Sequence, residues 1–343
     1  MMRLPLSWLL AFTTAALALL LLGSLAIGPM TLTLGESLRA LFAGQESGIE
    51  SHKLLIVQEI RLPRTLLCIA VGGILGLCGA VMQGLFRNPL ADPGIIGVSG
   101  GAALGAALAI VLLAPLGQQL QATIGVGLLP LLAFLGGALT TTLVYLLGTR
   151  EGGTSVTVML LAGVAITALS GAVIGLLTYL ADDQMLRNLS LWQMGTLAAG
   201  KPADVALALL TLAALLWLFM RDANPLNALL LGEGEARHLG VNVQSLKRRL
   251  ILLTAAGVGV AVAVSGMIGF VGLVVPHLVR LLAGPNHVRL LPLSALLGAA
   301  LLLAADMLAR TLLAPAELPV GIITALLGAP FFIWLLVKGR RAL

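Results

Sequence analysis

The sequence predicts an all-α polytopic membrane protein of about ten transmembrane helices, and three observations carry that prediction. Of 343 residues, 59% are hydrophobic and 10% charged, against roughly 25% charged in soluble domains. The apolar residues gather in long, nearly charge-free windows, among them Leu4 to Ile27, Leu66 to Gly84, Leu128 to Leu147, Val205 to Met220 and Leu290 to Leu313. Roughly 20 such residues cross the hydrocarbon layer as a helix. A helix is also the one open-chain form that satisfies its own backbone there.

Taken in order, the first window follows Arg3 and has the look of a secretory leader. It is too long, and no A-x-A site closes it, so it is expected to stay as the first span, near 5–28. Further spans are expected near 63–84, 94–113, 126–147, 155–180, 203–220, 247–265, 270–283, 290–313 and 319–337, within a single transmembrane domain over 1–343. With the N-terminus inside, the inner segments hold 13 of the 20 basic residues: Arg3, Arg87, Arg150, Arg221, Arg237, Lys247, Arg248, Arg249, Arg280, Arg289, Lys338, Arg340 and Arg341. The outer segments hold Arg39, Lys53, Arg61, Arg64, Arg187, Lys201 and Arg310. This excess fits the positive-inside rule with both termini cytoplasmic. The net charge of +6 then describes topology, and no nucleic-acid partner is implied.

The stretch FRNPLADPGIIGVSGGAALG, 86–105, falls in an inner loop, where Pro89 and Pro93 end helices for want of an N–H. Small residues recur every fourth position: Gly72, Gly76, Ala80 and Gly84; Gly97, Gly101 and Gly105; Gly163, Thr167, Gly171 and Gly175. That spacing places each set on one helix face, where backbones can approach closely. Tight helix packing is the expectation. Cys68 and Cys78 share one helix about 15 Å apart, so they cannot bridge and read as small buried residues.

Three signatures of chemistry fail on inspection. GVSGG at 97–101 fits G-x-S-x-G, but a nucleophile elbow needs a strand before it, and here both flanks are membrane helices. GTLAAGKP at 195–202 has P-loop spacing, yet Pro202 replaces the Ser/Thr that would hold magnesium and no strand precedes it. His52, His238, His277 and His287 stand singly without ligand spacing, so no metal site follows. No catalytic residue is assigned, and no cofactor is expected to be bound by this chain.

The longest inner loop, LLLGEGEARHLGVNVQSLKRR at 229–249, alternates charged and apolar residues between glycines. It suits an interfacial amphipathic helix and equally a segment entering a groove on a cytoplasmic partner. Composition leaves both open.

The sequence resembles the FecCD-like family of ATP-binding-cassette importer permeases, whose members carry haem, ferric siderophores and cobalamin. The matching stretches are RLPRTL at 61–66, GAVMQGLFRNPLADPGIIGVSGGA at 79–102, LGEGEARHLGV at 231–241, GFVGLVVPHLVR at 269–280, LLAADMLAR at 302–310 and ELPVGIITALLGAPFFIWLL at 317–336. The resemblance implies a type II importer architecture: a homodimer of ten-helix subunits in a bacterial inner membrane, with two separate ATPase subunits below and a periplasmic binding protein above. ATP would be consumed by the partner. It further implies that residues 231–241, within a cytoplasmic coupling loop over 229–245, form two short coupling helices in the ATPase groove, through Gly232, Glu233, Glu235, Ala236, Arg237, His238, Leu239 and Gly240.

The same resemblance implies that Arg61, Arg64 and Arg310 dock the binding protein. Snorkelling to the interface, or an i,i+4 pair of Arg310 with Asp306, would also account for such arginines. DDQMLRNLSLWQMGTLAAG at 182–200 is similar to the haem-importing members, apart from Asn188 where an aspartate is common. On that reading Arg187 meets a propionate while Trp192 and Met194 offer apolar contact to the porphyrin; a ferric siderophore or cobalamin is the alternative cargo. A different class, the ion-coupled secondary transporter, normally carries an ionisable site near the membrane midplane. The spans here hold almost no charge at that depth, which favours an external energy source.

Overall fold

The computed structural model describes residues 5–42, 50–114, 116, 127–150, 153–198 and 200–339. Over these the chain forms α1 (Leu6–Ala26), α2 (Leu34–Phe42), α3 (Ser51–Leu55), α4 (Leu62–Leu85), α5 (Val98–Val111), α6 (Leu128–Gly148), α7 (Val156–Leu180) and α8 (Asp183–Gln193). There follow α9 (Pro202–Arg221), α10 (Ala223–Leu230), α11 (Glu233–His238), α12 (Val243–Ser265), α13 (Val271–Ala283), α14 (His287–Ala309) and α15 (Val320–Gly339). A π-turn over Ile56–Arg61 joins α3 to α4. Two-residue strands β1 (Thr149–Arg150) and β2 (Gly153–Thr154) pair antiparallel between α6 and α7. Arg3, Arg340 and Arg341 of the topology argument lie outside the described residues.

Among the described residues seven helical stretches are long and apolar enough to cross a membrane: α1, α3 through α4, α6, α7, α9, α12 and α14. Three apolar helices are shorter, at Val98–Val111, Val271–Ala283 and Val320–Leu335. The 14 residues of α5 rise only about 21 Å, short of a bilayer core of roughly 30 Å. The helices α2, α8, α10 and α11 are polar or amphipathic.

Nearly every residue of α4 is buried, because α9, α12, α13 and α14 surround it. Glycine makes the closest approaches possible. A Cβ built on Gly76 would sit 2.3 Å from the Ser294 carbonyl oxygen of α14, and one on Gly72 would sit 2.4 Å from that of Gly298. On the α5–α6 seam a Cβ at Gly105 would meet the Leu132 oxygen at 1.9 Å and one at Gly101 the Gly136 oxygen at 2.3 Å. Real side chains do not approach backbone so closely, so any larger residue would separate the helices.

Two expectations about glycine change. Gly97 has φ +84° at the start of α5, a left-handed backbone that favours glycine, and a Cβ there would meet a Val144 methyl at 3.3 Å but no backbone atom. Its reason is conformational rather than close packing. Gly171 and Gly175 meet nothing within 4 Å. They lie on an exposed face of α7, so within this chain they pack no helix.

The three arginines expected to dock a binding protein are held within the fold. Arg61, Arg64 and Arg310 are only 3%, 6% and 2% exposed, and their charge is turned inward. Arg61 donates to the carbonyls of Leu25 and Ala26, both at 2.7 Å, and to that of Met30. Arg64 bonds Asp306 at 2.9 Å and Glu317 at 2.7 Å. Arg310 donates to the Ser24 hydroxyl at 2.6 Å and lies 3.4 Å from Asp306. These contacts tie α1, α4 and α14 together. The physical reason is that an unpaired charge buried at a helix end costs far more than one already paired.

Asp306, with no exposed side-chain surface, faces two guanidiniums at once. Asp306→Asn should therefore lower stability by about 3–5 kcal/mol, because it leaves those buried charges without a carboxylate. Thermal unfolding of detergent-purified protein measures this, and an unchanged midpoint would show that the cluster carries no stability.

Candidate coupling and translocation surfaces

At the end of the bundle that is expected to face the cytoplasm, α10 and α11 form a short platform between α9 and α12. It is anchored from behind at three points. The Asp222 carboxylate, 5% exposed, accepts two bonds from Arg249, at 2.7 and 2.5 Å. Asn227 accepts from the His287 backbone N–H at 2.8 Å and lies 2.9 Å from its ring Nδ1, which ties α10 to the start of α14. Glu233 takes the Lys247 ammonium at 2.5 Å.

The front of the platform is different. Ala236 is fully buried, while Leu231 and Leu239 are 68% and 64% exposed. Glu235, Arg237, His238 and Gly240 are also exposed, and Gly232 and Glu233 half-buried. Gly232 and Gly240 both take positive φ, at +123° and +83°, and so bracket α11 with turns that favour glycine. Of the two short helices expected in 231–241, the structure places one there, Glu233–His238; the other, Ala223–Leu230, precedes it.

At the opposite end of the bundle α8 crosses the ends of α12 and α15. Thr196 N–H donates to Ser265 O at 2.8 Å, and Gly321 N–H to Met194 O at 3.1 Å. Gly266 permits the crossing, since a Cβ there would lie 2.3 Å from the Trp192 carbonyl oxygen. Beside this crossing opens a cleft of about 610 Å³, lined by Asn188, Trp192, Thr196, Lys201 and Asp204 together with the ends of α5, α6 and α12. That volume is ordinary for a small-molecule pocket.

The three residues read as a substrate path do not converge. Trp192 is buried and lines the cleft with Asn188, one turn earlier on α8. Arg187, next to Asn188, is exposed on another face and does not line it. Met194 is 39% exposed and is engaged through its backbone. Farther along the outer surface, the Lys53 ammonium, with the Thr33 N–H and hydroxyl, holds the Glu36 carboxyl down to about 2, which ties α2 to α3.

Two features were missed in the sequence. Lys201 was counted only among the outer basic residues, and Asp204 was not singled out. Lys247 was read as one of three basic residues at an inner end, yet it is 2% exposed. The buried set Val243, Leu246, Lys247 and Leu250 follows the i, i+3, i+4, i+7 rule of an inward face, a signal that could have singled it out. Among the described residues no group of His, Cys, Asp or Glu could hold a metal ion.

Comparison with known proteins fits this geometry. The chain is 47% identical to the hemin transport system permease protein HmuU of Yersinia pestis, over 97% of its length and 96% of that protein. It is 42% identical to the vitamin B12 import system permease protein BtuC of Shigella boydii, over 97% and 96% respectively. The structure superposes with a TM-score of 0.82, at 34% identity, on an inward-facing metal-chelate type ABC transporter, covering 97% of this chain and 100% of that one. The profile of the FecCD transport family matches residues 16–338, and the chain belongs to that family.

Proposed function

We propose that this chain is the membrane permease of an ATP-driven importer that carries haem into a bacterial cytoplasm. The observation that carries the reading is the inner platform. It is braced by three polar tethers and carries two exposed leucines, Leu231 and Leu239. A braced segment with exposed leucines suits a protein groove, and the ATPase is its proposed occupant, with residues 229–245 as the coupling segment. Full-length similarity to a hemin permease supports the cargo; similarity to the vitamin B12 permeases supports cobalamin, with a ferric siderophore, as the alternative.

Two further parts follow. The exposed face of α7, with Val164, Ala168, Gly171, Gly175 and Tyr179 in helical register, is the proposed contact with a second copy, and the path would run along that two-fold axis. Small residues there allow the close backbone approach that association in lipid requires. At the outer mouth the exposed guanidinium of Arg187 is the proposed first contact for a propionate, with Trp192 and Asn188 behind it in the cleft. A binding protein is proposed to dock on the same outer side, on a frame that Arg61, Arg64 and Arg310 hold from within. Those arginines position helices and offer little free charge to a partner.

One reconstitution separates the coupling and cargo roles. Leu239→Asp places a charge in the proposed groove and should abolish co-purification of the ATPase, with the permease still inserted. Arg187→Ala should keep both the ATPase and binding-protein docking while haem uptake falls. Normal coupled uptake by Leu239→Asp would remove 231–241 from the coupling site. Weakened docking by Arg187→Ala would move that residue to the binding-protein rim. For the dimer, Gly171→Leu fills open space and so should leave the fold intact, yet convert the purified protein from dimer to monomer. A dimer that persists would place the two-fold contact elsewhere.

A further inference from the structure

Of the three tethers behind the platform, one continues beyond α12. The Lys247 ammonium bonds the Glu233 carboxylate at 2.5 Å and, on its other side, the carbonyl of Thr154 at 3.1 Å. Thr154 is held a second time, since its N–H and hydroxyl both donate to Gln244 Oε1 at 3.2 Å. Thr154 is the last residue of β2, and Ser155, whose side chain caps α7, follows it directly. Ser155 N–H in turn donates to Gly148 O at 2.8 Å, which closes the β1–β2 pair between α6 and α7. Of the neighbouring basic residues, Arg248 is exposed and Arg249 pairs with Asp222. Lys247 alone of the three turns inward.

We infer that Lys247 is a positioning residue that relays displacement of α11 to the inner end of α7. This deepens the coupling reading of residues 231–241 and rests on it. An ammonium has three donors on a compact head. It can therefore hold a carboxylate and a carbonyl at once, one on the platform and one on the hairpin. The ammonium itself is buried, while the Glu233 carboxylate stays half-exposed, so Lys247 grips both partners from inside the fold and motion of Glu233 is passed to Thr154. Between sites of this kind coupling needs a contiguous, tightly held contact, and this is the polar connection that joins α11 to the helix whose open face is proposed to meet the second copy.

The test uses the full complex of permease, ATPase and binding protein in lipid nanodiscs. A spin label at Tyr179→Cys reports the outer end of α7 across the two copies; the native Cys68 and Cys78 are buried thiols. In the parent protein, trapping with ATP and vanadate should shift the inter-label distance. Lys247→Met keeps length but removes the donors, and should lose that shift while ATPase binding and hydrolysis persist. ATP consumed per haem imported should then rise about tenfold, within the usual range of coupling between sites. Glu233→Gln should weaken the shift, and the double variant should be no worse than Lys247→Met, as expected for residues in one path. A full shift in Lys247→Met, or additive losses in the double variant, would overturn the relay. If Lys247→Met fails to insert, Glu233→Gln alone decides, and a full shift there overturns it too. Loss of ATPase association in Leu239→Asp, measured alongside, shows that the coupling reading stands; its retention would sink that reading instead.

Discussion

Backbone-to-backbone contact at glycine is the constraint on which the rest of this structure depends. In lipid, helices gain nothing by hiding apolar side chains from one another, because the acyl chains are just as apolar. What remains is dispersion, weak per atom and steep with distance, so helices associate where side chains let their backbones close up. Gly72 and Gly76 bring α4 against α14, and Gly101 and Gly105 bring α5 against α6. The body that results brings Arg64, Asp306 and Arg310 together.

The same rule read in reverse locates the working surfaces. Where small residues meet a neighbour, the seam is closed; where Gly171 and Gly175 meet nothing, a face is left open. The polar groups divide likewise. At the outer ends arginines are consumed by internal carboxylates and carbonyls, which fixes the frame. At the inner ends Asp222, Asn227 and Glu233 hold the platform from behind, which leaves its leucines for a partner. A permease needs both: a frame that does not yield, and one element that can pass on a push.

Much of this was legible in the sequence. Long charge-free windows locate helices because a bilayer fixes their length, and glycine at every fourth position marks seams. The sequence could not say which seam lies inside the chain, since Gly76 and Gly175 have the same periodicity and differ only in what the fold brings opposite them. It also could not separate an arginine that snorkels from one that is paired. Arg64 finds its partners Asp306 and Glu317 some 242 and 253 residues away, beyond any local pattern. The polar α8 was read for chemistry without its geometry, so Arg187 and Trp192 were grouped although they sit on different faces.

The central claim is that the energy for transport enters from a separate ATPase on the inner side. Vesicles containing this chain, its ATPase and a haem-loaded binding protein on the outer side measure it directly, by uptake of haem with and without ATP on the ATPase side. Haem accumulation that requires ATP and is indifferent to collapse of the proton and sodium gradients is the predicted result. Accumulation that continues without ATP and stops when those gradients collapse would contradict it.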